Sequence, residues 1–297
     1  MSMLQSVAIK LGPSARWLTR RTSGTMRRVI VYVHRRMLGR VRVMVNVAGF
    51  EASVTPWDNF GYSLYYLGDY EPEQTRLFRT VVERTKPETF LDVGANFGYY
   101  SLIAAAMGTP KVIAFEPSPE IAHFLSLNIE SNGLSDQVRL ERRAVSDIAG
   151  QVVFWLNKYA SNLGTGALTQ RADVIANQKV EVSSVPLDQM LDEFKGSLLI
   201  KMDIEGAEFR ALLGMRRILA ELKPVLLIEI HPKYLQDAGS QVSQVLRLII
   251  KDNSYSIKRN SGGRWVDVDE ETVIESECWI LAAPRGSELL LASANAA

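Results

Sequence analysis

From residue 88 onward, short apolar runs alternate with longer stretches of helical period. Residues 89–95 (TFLDVGA) are apolar and end in small residues, which predicts a buried strand, and 99–107 predict the helix after it. The pattern repeats with a strand over 111–116 (KVIAFE), a helix opened by Ser118-Pro119 and running to about Asn132, and a strand over 138–146. Two further apolar strands, 197–204 (SLLIKMDI) and 224–230 (PVLLIEI), flank a helical stretch over 207–222. A helix over 241–252 and strands over 255–259 and 278–283 follow, the last two close enough in sequence to pair antiparallel at the sheet edge. Strands alternating with helices predict an α/β fold with a mostly parallel sheet covered on both faces. A longer insertion at about 150–185 holds QVVFWL (151–156), the loop NKYASNLGTGAL (157–168) and a strand-like run over 179–185.

The first 50 residues have a different character. They hold ten of the 34 basic residues and no acid before Glu51, so the remaining chain carries 24 basic against 33 acidic residues, a net of −9. Met26, Val29, Ile30, Val33 and Met37 recur at helical spacing, which predicts a basic amphipathic helix. We read residues 1–50 as a helical extension and 51–297 as the catalytic domain. The expected place for the apolar stripe is against that domain, with the arginines in water. Contact of 16–42 with an anionic membrane surface, or an organelle transit peptide, are the other readings. No apolar run approaches the roughly 18 residues of a membrane span. One cysteine, Cys278, fits a reducing compartment, so the expectation is a cytoplasmic protein, at most peripherally attached to membrane.

The chemistry starts at the first strand's end. Asp92-Val-Gly94-Ala-Asn96-Phe-Gly98 forms a glycine-rich strand-to-helix turn, where missing Cβ atoms let a ligand approach and helix amides can bind an anionic group. The spacing departs from G-x-G-x-x-G. Asp92 would repel a pyrophosphate and attract an ammonium, and Glu116, at the tip of the next strand, suits both hydroxyls of a ribose. A nucleoside carrying an amino acid is S-adenosyl-L-methionine.

DVGANFG, FEPSPE and especially Lys201-Met-Asp203-Ile-Glu205-Gly206-Ala-Glu208 resemble the FkbM-type methyltransferases of the class I adenosylmethionine-dependent superfamily, as does VSSVPLDQML (182–191). The resemblance covers roughly residues 70–232. It implies a Rossmann-like sheet of seven strands with an antiparallel edge strand, and methyl transfer to a hydroxyl on a sugar, glycolipid or natural product. It also implies cofactor-binding roles for Glu73, Asp92, Gly94, Asn96, Gly98, Glu116, Ala144, Val145 and Asp203.

The fourth strand would carry the reaction. Strand alternation sends Lys201, Asp203 and Glu205 to one face, where burying so much charge is costly unless it is paired and used. Glu229 and His231 lie at the tip of the next strand. Lys201, Asp203, Glu229 and His231 are therefore the candidate catalytic residues. His231, then Asp203, is the candidate base for a hydroxyl proton. Mg²⁺ held by Asp203, Glu205 and Glu229 is an alternative, though a metal is not expected. The loop 157–168 is a candidate lid. RNA 2′-O-methylation and a non-catalytic cofactor-binding protein are the rival readings, and the net-acidic core argues against a nucleic-acid partner.

Overall fold

The computed structural model describes residues 3–39, 41–157, 166–168, 177–261 and 264–287; Arg40 and most of the candidate lid lie outside them. The chain opens with two helices, α1 (Met3–Arg21) and α2 (Gly24–Leu38), and a hairpin of β1 (Val43–Val47) and β2 (Phe50–Val54). The hairpin turns on Ala48 and Gly49, both at positive φ (53° and 100°), the backbone of a two-residue turn matched to strand twist. Asn128 ties the hairpin to the domain by accepting the Ser53 N–H at 2.8 Å. Residue 50, the expected end of the extension, is the first residue of β2 in this hairpin.

After α3 (Asn59–Tyr62) and α4 (Pro72–Thr85), the alternation becomes β3 (Thr89–Val93), α5 (Tyr99–Ala106), β4 (Lys111–Phe115), α6 (Pro119–Ser131) and β5 (Val138–Glu141). A small sheet follows: β6 (Ala144–Val145), β7 (Gly150–Asn157) and β8 (Asn177–Val185). Then come β9 (Leu198–Met202), α7 (Glu208–Leu213), α8 (Arg216–Glu221), β10 (Val225–Ile230), α9 (Pro232–Asp237), α10 (Val242–Arg247), β11 (Tyr255–Ser261), β12 (Arg264–Val268) and β13 (Cys278–Pro284). The main sheet has the order β12-β11-β13-β10-β9-β3-β4-β5. Its five strands from β10 to β5 are parallel, and β13 runs antiparallel between β10 and β11. Seven of these strands are those expected. The eighth, β12, comes from RWVDV, a β-prone alternation following two glycines, and forms the antiparallel edge. Side chains alternate into two cores: Phe90 and Leu227 on the side of α4, α5 and α6, and Leu91 and Ile228 on the side of α7, α8 and α10.

Two expected elements are broken for identifiable reasons. The strand over 138–146 divides at Arg142-Arg143, because Arg142 is exposed and Arg143 pairs with Glu141 at 2.8 Å, positions a covered sheet does not offer. Ala144–Val145 then pair with β8 instead. The helix over 207–222 breaks at Gly214, where a Cβ would lie 2.1 Å from the Ser146 carbonyl oxygen. Asp188 restarts it by accepting the Arg217 and Ile218 N–H groups at 3.0 Å.

The N-terminal stripe also differs from expectation. Helix α2 packs inward through Val31, His34 and Leu38, while Met26, Val29 and Val33 face solvent. His34 explains the rotation. Its Nε2–H donates to the Ala8 carbonyl at 2.8 Å, and its Nδ1 accepts the Tyr66 hydroxyl at 2.8 Å, so a buried neutral imidazole is satisfied on both sides. Burial lowers its pKa accordingly.

Candidate active site

The parallel strands run outward in two directions from the β3/β9 boundary, and at such a switch point the loops beyond the strands part to leave a crevice. The turn after β3 has positive φ at Gly94 (78°), Asn96 (54°) and Gly98 (92°). A Cβ on Gly94 would lie 1.9 Å from the Asp203 carbonyl oxygen, and one on Gly98 would lie 2.5 Å from Leu125 Cδ1. These glycines thus let the turn pack against the loop after β9 and against α6, where the sequence suggested room for a ligand.

Gly94, Asn96, Glu116, Ala144, Val145 and Asp203 line one cleft. Glu116 is fixed at its lip, with Oε2 accepting the Asn96 N–H at 2.9 Å and Oε1 the Ser118 N–H at 2.8 Å. Burial outweighs those bonds and pushes its carboxyl up to about 7. Asp58, Phe60, Tyr70, Arg143 and Phe154 complete the walls. Sequence reasoning missed them, because they come from the segment before β3 and from the small sheet, where no glycine turn or charge run marks a site.

Three expected cofactor residues lie elsewhere. Gly98 is behind the turn. Asp92 is 0% exposed; its Oδ2 accepts the Ser101 hydroxyl at 2.7 Å and its Oδ1 faces Lys201 Nζ at 3.7 Å. It therefore holds the turn from beneath and is not among the residues lining the cleft. Glu73 is exposed on the first turn of α4. Its neighbour Glu71 points inward instead, accepting the Tyr100 hydroxyl at 3.0 Å, and burial followed by the charge of Asp203 raises its carboxyl. Pro72 was the available signal: it fixes the first helical position and so makes Glu71 the cap residue.

Lys201 joins turn and strand. Its Nζ donates to the Gly94 carbonyl at 3.1 Å, stands 3.6 Å from Asp203 Oδ2, and lies over the Tyr100 ring at 5.3 Å. Burial opposes its charge, but Asp203 and Asp92 outweigh burial and its pKa is raised. Glu208, fully buried, accepts the Gly206 N–H at 3.0 Å, and burial lifts its carboxyl to about 7.

His231 gathers the remaining acids. Nε2 lies 3.6 Å from Asp203 Oδ1 and 3.8 Å from Glu229 Oε2, and Nδ1 lies 3.5 Å from Glu277 Oε2. Burial disfavours the imidazolium, yet Asp203 and Glu277 push it up to about 11. Burial and then the charges of Asp203 and Glu71 push Glu229 up to about 10. Asp203 goes the other way, to about 2, because Lys201 and His231 overcome its burial. The raised pKa of His231 favours the imidazolium at neutral pH, a form that donates a proton and does not accept one. Asp203, Glu229 and His231 each present a ligand atom within 4.8 Å of the others; Glu205 is not in that group. It lines the cleft at a positive φ of 54°. Mg²⁺ prefers oxygen ligands, so an imidazole in the set suits it poorly.

A second cleft opens beside Glu229, between α4 and the β10–β13–β11 strand ends. Glu73, Glu229, Arg259, Trp265, Glu277 and Trp279 are on its walls. Arg259 Nε and Trp279 Nε1 are buried with no hydrogen-bond partner among the described residues.

Known proteins resemble this chain on the same elements. Hexuronic acid methyltransferase AglP of Haloferax volcanii is 26% identical over 216 residues, 71% of this chain and 80% of that protein. The crystal structure of methyltransferase FkbM from Methylobacillus flagellatus is 17% identical at a TM-score of 0.46, over 93% of this chain and 60% of that one. This chain thus spans less than two thirds of that protein. An O-methyltransferase from Bacillus cereus, solved in complex with SAH, is 13% identical at a TM-score of 0.43, over 77% and 98%. The sequence profile of the methyltransferase FkbM domain matches residues 92–257, from Asp92 through the turn, Glu116, the Lys201–Glu208 run and His231. That is more than half of the chain, and the protein belongs to the FkbM methyltransferase family.

Proposed function

We propose that this protein transfers the methyl group of S-adenosyl-L-methionine to a hydroxyl of a sugar-containing acceptor. The observation that carries the reading is the pair of clefts flanking one acid–imidazole cluster: Asp203 lines the first, Glu229 lines the second, and His231 stands within 3.8 Å of both. In this reading Glu116 takes the ribose, Gly94 and Asn96 the methionine part, and Ala144 and Val145 the adenine. Bound there, the cofactor supplies an activated methyl on a sulfonium. The residues have two tasks: to hold the acceptor oxygen in line with that methyl, and to remove its proton as the bond forms.

Because His231 already carries a proton, the acceptor's proton goes to a carboxylate. Glu229, pushed up to about 10, holds a proton as well, so Asp203 is the ionised carboxylate of the cluster and takes the acceptor's proton. Lys201 is a positioning residue that ties Asp203 to the Gly94 turn. In the second cleft, Glu73 and Glu277 offer carboxylates to the acceptor's hydroxyls. The likeness to AglP, named for hexuronic acid, supports a sugar acceptor.

Methyl-labelled cofactor incubated with hexuronic acids, neutral hexoses and their glycosides tests this. Label in a sugar, lost in Asp203→Asn at saturating cofactor, is expected. Label in RNA and in none of the sugars overturns it. Full activity in excess chelator is expected as well, and loss of activity would move Asp203, Glu229 and His231 to the role of metal ligands.

A further inference from the structure

The paired helices α1 and α2 have one side that belongs to the fold and one that nothing in the fold uses. On α1 the packed positions are Ala8, Gly12, Ala15 and Thr19, a single stripe at helical spacing. The opposite face carries Lys10, Trp17 and Arg21. On α2 the packed stripe is Val31, His34 and Leu38, and the opposite face carries Val29, Tyr32, Val33 and Arg36, with Met26 at its start. Their apolar side chains are unusually open to water: Trp17 55%, Met26 61%, Val29 52%, Tyr32 63% and Val33 50% exposed. Val7, Leu11 and Leu18 add exposed apolar surface along the flank of α1.

The basic residues divide in the same way. Arg27 donates to the Thr19 and Thr22 carbonyls, closing the helix–helix turn. Arg35 donates to the Trp57 carbonyl, and Arg42 to Ser53. Arg16 lies over Tyr65 at 4.9 Å. Those arginines build the hairpin. Lys10, Arg21, Arg28 and Arg36 are exposed, and Arg21 stacks on the exposed Trp17 at 4.5 Å. With no acid in residues 1–50, nothing local neutralises them.

An aromatic and aliphatic surface edged only with cations is complementary to one kind of partner, a layer of anionic headgroups over hydrocarbon. We propose that the outer face of α1 and α2 seats the protein on an anionic lipid bilayer, lying in the interface with Trp17, Val29 and Val33 entering the headgroup layer. No described helix is long and apolar enough to cross a membrane, so the contact is with the surface. The inference is independent of the acceptor assigned above.

Flotation of the full chain with vesicles of phosphatidylcholine alone, or with about a third phosphatidylglycerol, tests it. Binding to the anionic vesicles at least about tenfold above the neutral ones is expected, falling as salt screens the charges. Two variants separate the parts: Trp17→Ser/Val29→Ser/Val33→Ser removes the apolar contact, and Arg28→Glu/Arg36→Glu reverses the charge. Both should lose most of the binding while keeping the wild-type melting temperature. If the first fails to fold, the second alone decides. Equal binding to neutral vesicles, no binding to either, or wild-type binding by the folded variants overturns the proposal. So does concentration-dependent dimerisation abolished by the same substitutions in a protein that ignores vesicles.

Discussion

Lys201 shows how a single residue can hold a site together without touching a ligand. It is buried among Asp92, Asp203 and the Gly94 carbonyl. Removing it would leave the buried Asp92 carboxylate facing the half-buried Asp203 with no cation between them. Lys201→Met should therefore cost about 3–5 kcal/mol in denaturant unfolding, and adding Asp92→Asn should restore part of that loss. A shortfall below about 1 kcal/mol would mean the pair is not energetically coupled. A second expectation concerns protons. The acid-rich cluster holds one on His231 and one on Glu229 at neutral pH, and a nearby sulfonium should lower both pKa values. Calorimetry in buffers of different ionisation enthalpy should show more proton release for S-adenosyl-L-methionine than for uncharged S-adenosylhomocysteine. Equal release would place the cluster outside the cofactor's field. These side chains were legible as a group, because charge inside an apolar strand has to be explained. Their roles were not. Asp92 and Lys201 differ from Asp203 only in which way the backbone turns them, and His231 titrates by neighbours drawn from β9 and from the segment before β13.

At the scale of elements, the turn after β3 and the loop after β9 touch backbone to backbone. Gly94→Ala meets both a positive φ of 78° and the Asp203 carbonyl, so it should lose cofactor affinity by more than tenfold, roughly the 1–3 kcal/mol of a strained backbone position. Gly49→Ala is the control. Its φ of 100° is equally demanding but open space surrounds it, so it should lower stability by about 1 kcal/mol and leave binding alone. Equal loss of binding in both would mean that general instability, not the turn, sets the affinity. The parallel strands were readable to within a residue or two, since five covered strands must be apolar on both faces. What escaped was decided by contacts far apart in sequence. Arg142 and Arg143 end a strand that apolar period would continue, Gly214 is forced by the Ser146 carbonyl, and α2 turns on a hydrogen-bonded histidine rather than on its most regular apolar stripe.

The whole molecule stores unfavourable charge for its site. Glu116 and Glu208, at about 7, and Glu229, at about 10, all lie above the ordinary value of 4.5. The native state therefore binds more protons than the unfolded chain above pH 4.5, and on their account stability falls as pH rises through 7 and on towards 10. His231, raised from 6.5 to about 11, contributes stability that is complete below 6.5 and lost towards 11. Asp203, lowered from 3.8 to about 2, contributes above 3.8 and loses its share as pH falls through 2. The ligand-free protein should melt several degrees lower at pH 8 than at pH 5. Glu208→Gln should narrow that gap by raising the melting temperature at pH 8; a variant no more stable there than wild type would refute the sign. Among these features, the chain of Asp203, His231 and Glu229 between the two clefts has one more consequence. Charge placed on either side of that chain is felt by groups facing the other, so any coupling between the two clefts has to be reciprocal. If a ligand in one cleft changes affinity in the other by some factor, the second ligand must change the first one's affinity by that same factor.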